Sequence, residues 1–355
     1  MNTTCALPKT TALPKHFELI AAAIVALAIA SIFWGAQRYP ALLKKLHAGS
    51  GVTVKWAISF DALLKVSPDM PAPERVARTA TNWLWTNRFG MYFALPFGAA
   101  MMTMLGTMSR PKRFDSAASN ILCGSLAGMP AGVCTNCATP IAQSLLMGGA
   151  STRLTLAAMI SSPSFNPVVL AMAFVLFPWK LALARVIVPA VLLALLPLLV
   201  KEREEATLGL KMPDVSEPAG ARVLRLMRRF LKNLLRLTLT TLPWMLLAAV
   251  LGAAAVEMIP AYGTNLPVSG LGIVAVATFG TLLPVPMAFD VALSWVLYRA
   301  GVPVPYVAAL LCTLGVVSVY SLTAMGQQLG RAVAMRLAAT VVVLGSMAGL
   351  VAWVG

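Results

Sequence analysis

Residues 128–140 read Gly-Met-Pro-Ala-Gly-Val-Cys-Thr-Asn-Cys-Ala-Thr-Pro, and they interrupt an apolar stretch long enough to cross a bilayer. Pro130 and Pro140 flank two thiols, Cys134 and Cys137. Proline removes a backbone donor and kinks or ends a helix. Backbone without helical hydrogen bonds survives at membrane depth only where it is packed in protein or lines a cavity. A break that carries soft, polarisable ligands therefore predicts a transport or redox site. The competing reading is that these cysteines are small hydrophobes filling space.

Composition sets the context. The chain has 355 residues, 59% hydrophobic and 11% charged, with a mean hydropathy of +0.81. Soluble domains carry about 25% charged residues. The apolar runs suit helices, which need about 20 residues to span, and the short alternating segments of a barrel are absent. The expected class is an all-α polytopic membrane protein of a bacterial-type inner membrane, with the lipid bilayer as its first partner. The net charge of +16 could suggest nucleic acid. The basic residues sit in short loops between apolar runs, which is the cytoplasmic excess of membrane proteins instead. His16 and His47 are far apart, and no zinc spacing or phosphate-cradling glycine loop is present. No cofactor is expected. The five cysteines do not form the even, loop-borne pattern of a secreted disulfide scaffold.

Full spans are expected near 17–35, 88–109, 153–177, 179–200, 237–259, 303–325 and 330–353. Two regions are too long for one simple helix and are broken near the middle: 115–149 at Pro130 to Cys137, and 267–300 at Pro284-Val285-Pro286. Each is expected to enter the membrane and turn back. The chain divides into an N-terminal span and external loop (1–87), a first membrane repeat (88–200), a cytoplasmic linker and basic amphipathic helix (201–236), and a second repeat (237–355). A surface helix is expected near 74–87, after Pro68, Pro71 and Pro73. Ala28-Ile29-Ala30 resembles a cleavage site, but the apolar run continues past it to Trp34, so an uncleaved first span is expected.

Arg222, Arg225, Arg228, Arg229, Lys232 and Arg236, with no acid among them, place 221–236 in the cytoplasm, lying along anionic lipid. Arg110, Lys112 and Arg113 form a second cytoplasmic cluster. The N-terminus is then cytoplasmic, with Lys180 and Arg185 near the outer face. A shift of 151 positions carries the span at 88–109 onto the next half, the break at 134–137 onto 285–288, and the two following spans onto 304–328 and 330–351. The halves would start on opposite sides, which is the inverted-topology repeat of many secondary transporters.

Several residues in these breaks could carry chemistry. Cys134 and Cys137 can offer two thiolates to one soft ion, or exchange electrons. In Ser161-Ser-Pro-Ser-Phe-Asn-Pro167, Pro163 and Pro167 free carbonyls that Ser161 and Asn166 can satisfy, or those side chains can face a substrate. The repeat sets Cys312 opposite Ser161. Asp290, the acid within the second hairpin, is a candidate for proton coupling, because an intramembrane carboxylate is expensive to keep; a helix cap is the plainer alternative.

The run Gly128 to Ala150, followed by Ser161 to Pro167, resembles the predicted permeases of the ArsP/YraQ type, with their Cys-rich turn, Gly-Ala stretch and S-P-x-x-N-P segment. The resemblance implies an inner-membrane permease with two related halves, whose characterised members export trivalent organoarsenicals, with cysteine thiols implicated. By motif it implicates Cys134, Cys137, Pro140, Pro163, Asn166 and Pro167. This chain departs in its two-residue cysteine spacing and in carrying Pro284-Val-Pro286 and Asp290 in its second half. The leading expectation is a secondary transporter, efflux in direction, for a thiophilic solute such as an organoarsenical, a soft metal or metalloid, or a sulfur compound. The alternative is a membrane thiol-disulfide oxidoreductase using the Cys134/Cys137 pair, a class that usually needs a further pair facing the oxidising compartment.

Overall fold

The computed structural model describes residues 17–40, 43, 63–67, 69–107, 114, 116–202, 219–258, 267–285 and 287–354. Cys5, His16, His47, Pro68, the basic cluster at 110–113, the linker at 203–218 and Pro286 lie outside the described residues. Among those described, the chain is helical with no strand: α1 (Phe17–Phe33), α2 (Ala72–Leu105), α3 (Ala117–Gly128), α4 (Thr135–Met147), α5 (Thr152–Ser164), α6 (Pro167–Leu176), α7 (Trp179–Leu199), α8 (Ala219–Met258), α9 (Gly270–Leu282), α10 (Phe289–Arg299), α11 (Val304–Thr313), α12 (Val319–Leu329) and α13 (Arg331–Val354). Four helical stretches are long and apolar enough to cross a membrane: Phe17–Arg38, Trp179–Leu199, Ala219–Leu251 and Arg331–Val354. A fifth is the pair α5 and α6, bent by 41°. The chain is an all-α polytopic membrane protein.

Two expectations are corrected. The surface helix at 74–87 and the span at 88–109 are one helix, α2, of 34 residues, about 51 Å long. Pro71 and Pro73, read as loop residues, instead stand at its start, where a missing N–H does no harm. The basic segment 221–236 is likewise no separate surface helix. It is the first half of α8, 40 residues long. Three of its arginines turn inward onto Glu18 of α1, at 3.7 Å from Arg222, 3.2 Å from Arg225 and 3.8 Å from Arg229. An acid only 2% exposed needs such partners, and it holds the charged face of α8 against α1. Asn233 Nδ2 on α8 donates to Thr103 Oγ1 on α2 at 3.0 Å.

The interrupted regions are helix–break–helix hairpins. A Cβ on Gly124 would sit 2.1 Å from Leu154 O, and one on Gly128 would sit 2.2 Å from Ser161 Oγ and 2.3 Å from Ala158 O. These glycines let α3 run parallel to α5 at backbone contact, as small residues do between membrane helices. Because α4 leads directly into α5 and returns alongside it, α3 and α4 point in opposite directions. The second half repeats the pattern. Gly272 on α9 faces Tyr306, and Gly280 faces Leu310 and Thr313, so α9 runs parallel to α11. The span expected at 303–325 is itself broken at 314–318, between α11 and α12, matching the break at 165–166 between α5 and α6.

Candidate functional site

The loop between α3 and α4 is shaped by its neighbours. Gly132 takes the left-handed conformation (φ 56°) that side chains with a Cβ avoid. Its carbonyl accepts from Asn166 Nδ2 at 2.9 Å, and Val133 N donates to Ser162 Oγ at 3.2 Å. Trp34 Nε1, on the π-helical turn that follows α1, donates to Pro130 O. The polar break in α5–α6 thus satisfies the backbone of the first hairpin tip, as buried irregular chain requires.

Cys134 caps α4 and Cys137 lies one turn in. Both are buried, with sulfurs 3.1 Å apart. The Met91 thioether of α2 sits 3.9 Å from the Cys137 sulfur. Gly90 makes room for it, because a Cβ there would stand 2.8 Å from that sulfur. Among the described residues, none of Cys123, Cys134, Cys137 and Cys312 is in a disulfide.

The four breaks meet. Thr135 Oγ1 donates to Gly315 O, and Ser318 Oγ donates to Asn136 Oδ1 at 2.9 Å, tying the first tip to the break before α12. Asn166 Nδ2 also reaches Met287 Sδ of the second tip at 3.2 Å. Arg185 Nη2 on α7 donates to Asp290 Oδ2 on α10 at 2.7 Å, and both side chains are buried. A cavity with room for about 10 Å³ of water lies at this junction, lined by Cys134, Thr135, Pro163, Met287, Asp290 and Gly315 among others. That is space for roughly one water molecule, too little for a larger solute.

Each predicted residue has a place in this geometry. Cys134, Pro163 and Asp290 line the cavity, and Cys137 stands behind Cys134. Asn166 spends its amide on the two tips, while its Oδ1 accepts from Val168 N at 3.0 Å as the cap of α6. Ser161 is away from the cavity lining, donating to Ser125 O of α3 at 3.1 Å. Cys312 is fully buried on α11 and also stands apart from the lining. Pro130 is exposed at the first tip, Pro167 opens α6 and Pro284 is buried in the second tip. Pro140 marks no break: it lies inside α4, where it frees only the Asn136 carbonyl. Arg185 is buried and ion-paired. Sequence reading missed Met91, Arg185 and Glu18 as partners. The Gly124–Gly128 spacing was the legible signal for the close pair of α3 and α5.

Residues 94–354 match the family ArsP_1, described as a predicted permease. The chain belongs to that family. It is 31% identical over 210 residues to the UPF0718 protein YraQ of Escherichia coli (strain K12), a match covering 57% of this chain and 58% of that relative's length. No solved structure matches the chain. The ArsP_1 assignment and the membrane-length helices agree on a multi-pass membrane permease.

Proposed function

We propose that this ArsP_1 permease is a secondary transporter carrying a thiophilic solute across an inner membrane, in the efflux direction, through the junction of its four helix breaks. The carrying observation is that four interrupted helices meet at one small cavity lined by the Cys134 thiol and the Asp290 carboxylate, with the Cys137 thiol 3.1 Å behind Cys134. Soft thiolates select soft centres, among them trivalent arsenic and soft metals. Helix breaks that meet inside a protein are where transporters place their substrates.

The inverted-repeat reading is supported by contacts. The α3–α4 hairpin and the start of α5 lie at the end of the bundle that holds Glu202, whose carboxylate accepts from Thr152 N at 2.6 Å. The Arg336 guanidinium near the start of α13 reaches Leu199 O at that same end, at 3.5 Å. The α9–α10 hairpin and the start of α11 are then at the other end. With the arginines of α8 inside, the first hairpin opens toward the cytoplasm and the second toward the exterior. Opening one side at a time would expose Cys134 and Asp290 alternately. Proton coupling through Asp290 requires its pair with Arg185 to part during that cycle.

The 3.1 Å sulfur separation also suits dithiol–disulfide exchange, the oxidoreductase reading. Cys123 and Cys312 form no second pair among the described residues, which favours transport. The test is cellular accumulation of trivalent methylarsenite and of soft metals in a strain lacking its own exporters. Expression should lower accumulation, and Cys134→Ser or Cys137→Ser should restore it. Equal accumulation with and without the protein, alongside cysteine-dependent disulfide exchange in membranes, would replace the transporter by the enzyme.

A further inference from the structure

We propose that Cys134, Cys137 and Met91 form a three-sulfur site for a monovalent soft cation, copper(I) or silver(I), with Arg38 as its charge-balancing partner. The inference rests on the permease reading only in making this ion a transported substrate; binding itself stands on the geometry. Two thiols and a thioether converge from α4 and α2, with spacings of 3.1 and 3.9 Å. Gly90 is the reason α2 comes close enough, because a side chain there would strike the Cys137 sulfur. Soft sulfur donors without imidazole or carboxylate select monovalent copper over harder ions.

Charge narrows the choice. Arg38, at the end of the π-helical turn, is 8% exposed and lies against the first tip, its Cδ and Nε within van der Waals range of a Cβ placed on Gly132. Its guanidinium stacks 4.5 Å over the Phe33 ring, and its Nε is buried with no hydrogen-bond partner among the described residues. It is near enough to interact electrostatically with both Cys134 and Cys137. The other charges at the junction, Arg185 and Asp290, cancel each other. On binding, two thiols release two protons and the thioether releases none. A bound monovalent ion leaves the three sulfurs at net charge −1, which Arg38 neutralises. A divalent ion, or an organoarsenical held by two thiolates, leaves a neutral complex and the guanidinium as uncompensated as in the empty site, so Arg38 favours the monovalent ion without opposing the others. Cys134 belongs to both the sulfur set and the cavity lining, so it is the point where the ion would pass between them.

The test uses the full-length purified protein, reduced and anaerobic. Copper(I) is titrated against a chromophoric copper(I) chelator, and copper X-ray absorption counts the sulfur neighbours. The expectation is one copper per chain with three sulfurs. Met91→Leu should weaken binding about tenfold and lower the count to two, with the melting temperature kept as a check on folding. Arg38→Gln should weaken copper(I) about tenfold while leaving binding of phenylarsine oxide unchanged or tighter. Three-sulfur binding that survives Met91→Leu, or zinc(II) binding as tightly as copper(I), overturns the inference. Flux in vesicles separates the two readings. Cysteine-dependent arsenical transport without copper binding would sink this site and spare the permease; copper binding without flux of any solute would do the reverse.

Discussion

The two hairpin tips share a plan and differ in chemistry. The first carries two thiols 3.1 Å apart on a loop whose backbone is satisfied by Ser162 and Asn166. The second carries Asp290, bound 2.7 Å from Arg185, just after Ala288 in a left-handed conformation (φ 64°). One tip is uncharged and soft, and its polar bonds are mostly to backbone. The other is held by a buried ion pair across the two halves. The difference suggests a division of labour in which the first tip selects the solute and the second locks the halves together. Proteins keep such intramembrane charges at a cost because they serve function.

The largest effect should come from the second tip. Arg185→Gln or Asp290→Asn alone leaves one buried charge without its partner, a loss of about 3–5 kcal/mol. Thermal unfolding in detergent should show either single variant far less stable than the double variant Arg185→Met with Asp290→Leu. Single variants that match the wild type would mean the pair is no lock. Next in size, Gly128→Leu should prevent α3 from seating on α5, at about 1–3 kcal/mol or more from overpacking. The control Gly220→Ala, with nothing within 4 Å of its Cβ, should be silent. Asn166→Ala removes the cap of α6 and the bond to Gly132 O, at about 1–2 kcal/mol. It should also raise hydrogen exchange at the first tip more than at the second. Smallest of all, Ala288→Gly should stabilise the protein by about 1 kcal/mol, because Ala288 is the non-glycine residue with positive φ among those described. A loss of stability there would show that its methyl, not its backbone, governs the second tip.

Much of the fold was legible because lipid punishes broken helices. Prolines and small polar residues inside apolar runs mark breaks at 130–137 and 284–286, and the pattern of spans recurs half a chain later. Long helices were harder to see. The charged stretches of α2 and α8 both read as surface helices apart from the spans, since a sequence lists the arginines of α8 without saying that three of them face Glu18. Arg185 and Asp290 are 105 residues apart, so their pairing exists only in the assembled halves. Met91 is one methionine among 19, and what sets it apart is Gly90 beside it, which lets it approach the Cys137 sulfur. Pro71 and Pro73 show the opposite error: proline begins helices as readily as it ends them.

On the proposed function, the thiol-bearing tip is the solute's binding point on the route through the bundle. Reconstitution of the purified chain into liposomes, with flux of methylarsenite and of copper(I) followed by elemental analysis, tests it most directly. Flux of at least one of them is expected from the wild type and from Cys123→Ser, and none from Cys134→Ser with Cys137→Ser, a double variant expected to unfold within about 1 kcal/mol of the parent. Undiminished flux through the cysteine-free tip would show that the solute does not bind there.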